Sequence, residues 1–384
     1  MKIVHVAIRF PPATGGGEQV VYNLAKEQVK MENEVYVITT DLMREVPREV
    51  DRRLPRREVM DGINVIRMKT CPTLLPVWGY GSVFFGLKKV LNEIKPDIVH
   101  THSYGYFHSD LLARFRKSSD WKLVMTSHGF TPGRGFFRFV KEMYTKFIGK
   151  KTMKSLDAAM ALSKRDKKVF EELGAKNVYV IPNGIDLSIF ENLPNKNIFR
   201  DRYGIKGKMI LNVGRLEKIK GQKILIEAFS NITKDFSDTM LVIVGEDWGE
   251  LKGLKELIRE LNQEEKVIFT GNILHSKMPE VYASADIFVL SSFDESFGIT
   301  LLEAMVCGLP IVATNVGAVP EVVGDASLLV DPNSQSIYGG VIKLLEDENL
   351  SAKLAEKGKR RVADFSWEKI ANSVVKIYKE VEMG

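Results

Sequence analysis

The sequence predicts an α/β protein of two doubly wound domains, and three observations predict it. The chain has 384 residues, beyond the size at which a single hydrophobic core stops growing, so two domains of ordinary size are expected. Short runs rich in Val and Ile alternate with longer runs of helical period, the pattern of a parallel sheet covered by helices on both faces. That alternation starts twice, with the turn-rich stretch 184–204 between the two series.

In the first series, strands are expected at Ile3–Ile8, Val35–Thr39, Asn64–Met68, Ile98–His102, Leu123–Ser127, Ala158–Leu162 and Val178–Pro182, with helices between them. In the second they are expected at Met209–Val213, Met240–Gly245, Val267–Thr270, Ile287–Leu290, Ile311–Thr314 and Leu328–Val330. Each series is thus Rossmann-like. After Asp331-Pro332 the pattern is helical through Ile337–Glu346, Leu350–Val362 and Ser366–Glu382, one helix more than the alternation needs. The surplus helix is expected to pack back on the first domain. The first domain is then 1–185 with 366–384, and the second is 186–365.

Composition excludes several classes. With 45% hydrophobic and 27% charged residues the chain reads as globular rather than disordered. No apolar run approaches the roughly 18 residues of a membrane span, and Met1 leads straight into a strand-like run, so a cytoplasmic location without a signal peptide is expected. Cys71 and Cys307 are too few for a disulfide framework or a metal cluster and read as free thiols. Residues 1–185 hold 31 Lys and Arg against 19 Asp and Glu (+12), and residues 186–384 hold 24 against 30 (−6). Within the basic half, the segment 130–154 carries Arg134, Arg138, Lys141, Lys146, Lys150, Lys151 and Lys154 against Glu142, interleaved with Phe136, Phe137, Phe139, Tyr144 and Phe147. Such a segment suits an anionic membrane surface; a solvated helix face with its aromatics in the core is the other reading. Nucleic acid is not an expected partner, and the sequence sets no oligomeric state.

Four motifs carry chemistry. Gly15-Gly16-Gly17-Glu18 follows the first strand and opens a helix, which suits either a tight turn or close backbone approach to an anion at a helix N-terminus. The spacing is not that of a dinucleotide fingerprint. Pro182-Asn183-Gly184-Ile185-Asp186 is by itself a turn. Gly214-Arg215, followed by Lys218, Lys220 and Gly221, places cations at the carboxyl end of a strand, where a diphosphate is well held; a solvated cation cluster is the plainer reading. In the stretch from Asp294 and Glu295 through Phe297-Gly298-Ile299-Thr300 to Glu303, the amides of Gly298, Ile299 and Thr300 open a helix and suit a phosphate. Glu303 suits the hydroxyls of a ribose, or is a surface helix residue, and Glu295 lies nearer the reacting end, or favours the helix dipole.

Glu295 and Glu303 around Ser-Phe-Gly-Ile-Thr-Leu-Leu, then Ala304-Met305 and Gly308-Leu309-Pro310, together resemble the signature of glycosyltransferase family 4, of the GT-B fold. Gly15-Gly16, Pro182-Asn183-Gly184-Ile185-Asp186, and Gly214-Arg215-Leu216 with Lys220-Gly221 resemble the family's other motifs in order. Within the family the chain is similar to mannosyltransferases of the phosphatidylinositol type. The resemblance implies that the two domains face each other across a cleft, the first on the acceptor side and the second binding the nucleotide sugar, that Arg215 and Lys220, with amides near Gly16 and Ile299, hold the donor diphosphate, that Glu303 binds the ribose, and that Glu295 and His128 meet the transferred sugar. His128 alone reads as a capping residue. Gly245-Glu246-Asp247 departs from the family, which usually has another glycine at that place.

The expectation is a retaining transfer of a hexose from a UDP- or GDP-sugar to an acceptor hydroxyl, with no metal and no cofactor. The acceptor expected is a lipid or lipid-linked glycan; a soluble sugar or sugar phosphate is the alternative. A nucleotide-sugar epimerase and a non-catalytic nucleotide-sugar-binding subunit are the readings of other classes.

Overall fold

The computed structural model describes residues 1–13, 15–45, 48–72, 82–129 and 136–383. The chain folds into two compact units, Met1–Gly184 with Trp367–Gly384, and Ile185–Ser366. Both are α/β with a mainly or wholly parallel sheet.

The first unit holds an eight-stranded sheet. From one edge its strands are Val178–Val180, Ala158–Ala161, Lys122–Thr126, Ile98–His102, Lys2–Val6, Glu34–Thr40, Ile63–Met68 and Arg57–Met60. Every pair is parallel except the last, Arg57–Met60 against Ile63–Met68. This antiparallel edge was not among the expected strands. Its residues alternate between exposed and partly buried, and its signal is the Asp61-Gly62 pair, which turns the hairpin with both residues at positive φ. The central strands are buried on both faces, although Lys2–Val6 and Ile98–His102 carry the buried polar residues His5, His100, Thr101 and His102 among their apolar ones.

The second unit has six parallel strands, in the order Val267–Gly271, Met240–Val244, Met209–Val213, Ile287–Leu290, Ile311–Thr314 and Leu328–Val330. Its core joins Leu225, Ile226 and Phe229 of helix Gln222–Asp235 to Ile210, Leu241 and Ile243 of the sheet. Helices Ser334–Glu346 and Glu348–Val362 follow the last strand. Among the described residues no helix is long and apolar enough to cross a membrane.

The last helix, Trp367–Met383, belongs to the first unit, where it packs on helix Gly16–Lys30. Its buried residues Ile370, Val374, Tyr378 and Val381 recur at three- and four-residue spacing, a single stripe turned to the sheet. Where the chain leaves the first unit, the Ile185 amide donates to the Phe365 carbonyl at 2.8 Å. The neighbouring Gly184 lies under Trp367, so close that a Cβ there would stand 2.5 Å from the indole ring.

Gly184→Ala must therefore push a buried Trp off its seat. Overpacking of this kind costs about 1–3 kcal/mol, and for a unit of this size each kcal/mol lowers Tm by about 2–4 °C. A melting curve is expected to fall by several degrees; an unchanged Tm would show that the Trp367 seat is loose.

Candidate functional site

In the second unit the charged groups collect at the carboxyl edge of the sheet. Two loops are fastened there. The turn Lys218–Lys220 is tied to the loop after Ile287–Leu290 by Phe293 N donating to the Ile219 carbonyl (2.7 Å) and Ser291 Oγ donating to the Lys220 carbonyl (2.9 Å). Gly221 makes this approach feasible: its φ is 66°, and a Cβ would lie 2.0 Å from the Ser291 carbonyl oxygen. Between these two ties Thr314 Oγ1 donates to the Ser292 carbonyl at 2.6 Å, and farther along the loop Ala318 N donates to the Glu295 carbonyl at 2.9 Å.

These ties bring Lys220 and Glu295 together. Lys220 Nζ donates to Glu295 Oε2 at 2.7 Å, and Ser292 Oγ lies 3.3 Å from the same oxygen. Arg215 is exposed; it pairs with Glu217 at 3.1 Å and lies over the Trp248 ring at 4.2 Å. Trp248 in turn donates from its indole nitrogen to Glu246 at 3.2 Å. The acid that departs from the family pattern thus helps to hold the shelf beneath Arg215. No sequence periodicity marks Trp248; its exposure in a charged turn is the signal.

Helix Ile299–Val306 begins at Gly298, with no side chain capping its first turn, so the half-buried Ile299 and Thr300 lie at its positive end. Phe297 is buried edge-on against Phe365, at 6.0 Å between ring centroids, so its side chain belongs to the packing and only its backbone lies with the loop. Glu303 is not a surface residue. It is buried on a helix whose neighbours Leu301, Leu302, Ala304 and Met305 are buried too. Tyr282 Oη donates to its Oε2 at 2.6 Å, and the half-exposed His275 lies 3.7 Å from Oε1. Burial pushes the Glu303 carboxyl up to about 7 in spite of the Tyr282 bond. An acid inside an otherwise apolar helix was the sequence signal for that burial; Tyr282, two elements earlier, had none.

In the first unit, helix Gly16–Lys30 starts after Gly15 without a side-chain cap. Glu18 is buried and paired with Arg9 at 2.6 Å, its carboxylate folded back over Gly15. Arg9, a lone cation just beyond the first strand, was not singled out from the sequence. His128 follows strand Lys122–Thr126, and its Nε2 lies 3.1 Å from His102 Nδ1 with the rings stacked. Burial lowers its pKa to about 4, so it is neutral at ordinary pH. The structure thus gathers Lys220, Glu295, Gly298, Ile299 and Thr300 in one loop system of the second unit, and Gly15, Gly16 and Glu18 at one helix start of the first. Of the basic segment, Phe130 and Arg134 and the side chains of Phe136, Phe137 and Arg138 lie outside the described residues.

Residues 14–189 match the family model described as Glycosyltransferase Family 4, and residues 195–361 the model described as Glycosyl transferases group 1. The chain is 30% identical to an uncharacterised glycosyltransferase, MJ1607, of Methanocaldococcus jannaschii, over 99% of this chain and 98% of that one. It is 33% identical to mannosylfructose-phosphate synthase of Agrobacterium fabrum over 53% of this chain; the match spans 48% of that enzyme. Among solved structures, Anabaena Alr3699/HepE in complex with UDP-glucose superposes with a TM-score of 0.78 at 20% identity, covering 99% of this chain and 100% of that one, a likeness of fold. With both halves matched in order and a relative aligned along nearly its whole length, the chain belongs to glycosyltransferase family 4, with the two Rossmann-like units of the GT-B fold.

Proposed function

We propose that this glycosyltransferase moves a hexose from a UDP- or GDP-sugar to an acceptor hydroxyl with retention of configuration, and that the acceptor is a lipid or lipid-linked glycan at an anionic bilayer. The observation that carries the donor reading is the loop system in which Lys220, Glu295 and the open first turn at Gly298 are fastened side by side, with the buried Glu303 on the same helix. Arg215, Lys220 and the amides of Ile299 and Thr300 take the diphosphate, Glu303 takes the ribose, and Glu295 and His128 orient the sugar. In the reaction the bond from the anomeric carbon to the phosphate oxygen breaks while the acceptor oxygen bonds to the same face of that carbon. The acceptor proton passes to the departing oxygen. Charge grows on the diphosphate, where the cations and amides stabilise it; no divalent cation is assigned a step. The relative crystallised with UDP-glucose agrees with such a donor.

The membrane reading rests on an exposed stripe. Tyr144 and Thr152 both bond inward to Asp110, while Phe139, Met143 and Phe147, four residues apart, face out beside the exposed Lys146, Lys150, Lys151 and Lys154. Apolar residues flanked by cations match the headgroup boundary of an anionic leaflet. A soluble sugar phosphate is the second reading, favoured by the name of the Agrobacterium relative.

The donor site is tested through Glu303. Its pKa of about 7 in the free protein lies above the ordinary carboxylate value; a ribose that binds the ionised form therefore binds fully above pH 7 and more weakly below it. Calorimetry with UDP and GDP is expected to show affinity about tenfold lower at pH 6 than at pH 8 for the preferred nucleotide, by proton linkage. Glu303→Gln is expected to remove that Glu303-dependent part of the pH effect and to cost roughly 1.5–3 kcal/mol at pH 8. Equal affinity of the two proteins at pH 8 would remove Glu303 from the site.

Lys220→Met and Arg215→Ala are each expected to lower kcat by roughly 10²–10³, as loss of a transition-state donor does, with little change in the donor KM. A rise in KM alone would make them ground-state anchors. For the acceptor side, sedimentation with vesicles is expected to need anionic lipid, each surface cation contributing about 1 kcal/mol. Binding is expected to weaken with salt and in a Phe139→Ser, Phe147→Ser, Lys146→Ser, Lys150→Ser protein. Equal recovery in the supernatant with neutral and anionic vesicles would leave the soluble acceptor.

A further inference from the structure

Five of the six histidines lie in the first unit, and four of them form one network with Gln28 and Tyr378, buried except at the partly exposed His128. His100 and His102 alternate on strand Ile98–His102 and so share a face, and His5 pairs in register with His100 on the neighbouring strand. One branch runs from Gln28 Oε1 to His5 Nε2 (2.6 Å), from His5 Nδ1 to His102 Nε2 (3.0 Å), and from His102 Nδ1 to His128 Nε2 (3.1 Å). The other runs from Gln28 Nε2 to Tyr378 Oη (3.4 Å), on to His100 Nδ1 (2.5 Å), and from His100 Nε2 to Thr126 Oγ1 (2.8 Å).

The network has a direction. Desolvation draws the pKa of His5 and His128 down to about 4 and those of His100 and His102 well below the ordinary value, so each ring is neutral and carries one N–H. Gln28 Oε1 only accepts, so His5 donates from Nε2 and its Nδ1 is bare. That bare nitrogen accepts from His102 Nε2, and the bare Nδ1 of His102 accepts from His128 Nε2. The other branch agrees. A contact of 2.5 Å falls in the range of an O–H donor rather than an N–H one, so Tyr378 gives its hydrogen to His100 and its oxygen accepts from the Gln28 amide. Turning Gln28 over would require every proton in both branches to move.

We infer that Tyr378, Gln28, His5 and His102 form a tautomer relay that holds His128 with its hydrogen on Nε2 and leaves its Nδ1 bare as an acceptor. These four are positioning residues. The consequence for catalysis rests on the reading that His128 orients the transferred sugar: a bare Nδ1 accepts from a sugar hydroxyl, whereas an Nδ1–H donates to it. Three of the rings, His5, His100 and His102, also bring nitrogens within 4.8 Å of one another, a spacing that a metal ion would accept. Both nitrogens of all three are already in hydrogen bonds, which favours the relay.

The test is long-range ¹H–¹⁵N correlation of the histidine rings in the full chain without donor. His128 is expected to show a protonated Nε2 and a bare Nδ1. Tyr378→Phe, which keeps the ring, and Gln28→Met, which removes the amide, are each expected to bring up a second His128 tautomer; should Gln28→Met fail to fold, Tyr378→Phe decides. A wild-type His128 protonated on Nδ1, a His128 spectrum unmoved by either change, or one equivalent of metal in the purified protein would overturn the relay. In kinetics both changes are expected to lower kcat roughly 10- to 100-fold, the scale on which outer-shell partners act on a metal-bound histidine, with donor KM within about twofold. A shifted tautomer with unchanged kcat would uphold the relay and overturn the catalytic reading of His128.

Discussion

The candidate donor site depends on one clamp: the loop after strand Ile287–Leu290 is tied at its start to the turn Lys218–Lys220 and to Thr314, and at Glu295 to Ala318, each time by backbone carbonyls. A parallel sheet sends all its carboxyl ends to one edge, where connecting loops have no ladder to pair with and must find partners among themselves. Here those partners are the neighbouring loops. Because the clamp fixes both loops, Lys220 and Glu295 meet at 2.7 Å without either side chain spanning open solvent. It also sets where the following helix starts, and so which amides stand open.

The parallel strands of both units were legible because strands buried on both faces leave Val- and Ile-rich runs. The edge strand Arg57–Met60 was missed for the converse reason, since an antiparallel edge needs few apolar residues and announces itself only by its turn. The site was legible where chemistry is packed into a short stretch, as from Glu295 to Glu303. It was illegible where a partner arrives alone from another element. Arg9 on Glu18, Trp248 under Arg215 and Tyr282 on Glu303 are single residues in unremarkable contexts, and only folding makes them neighbours. Phe297 shows the reverse: the side chain of an aromatic beside the motif glycine is taken up in packing against Phe365, which the sequence did not signal.

The two units store charge differently. The first buries neutral imidazoles, whose information is the side on which each proton sits, and the second buries a carboxyl, Glu303, whose desolvation is only partly offset by Tyr282. A buried acid with one donor is a group awaiting further hydrogen bonds. A relay of neutral rings has no such charge deficit; its internal bonds are complete before any ligand arrives, and only the Nδ1 of His128 is left open.

The cations of the second unit are not waiting either. Arg215 already has Glu217 and Trp248, and Lys220 already has Glu295. On the proposed donor reading, a diphosphate entering there exchanges one carboxylate partner for phosphate oxygens, and an exchange of ion pairs near the surface yields little net free energy. Ground-state binding is thus close to balanced at these two residues. The balance shifts when the bond to the anomeric carbon lengthens, because the diphosphate then carries more charge than the carboxylates it displaced, while Arg215 and Lys220 are already in place and need no reorganisation. Pre-paired cations of this kind bind the departing group more tightly than the intact donor, which is the condition for their interaction energy to appear in turnover rather than in affinity.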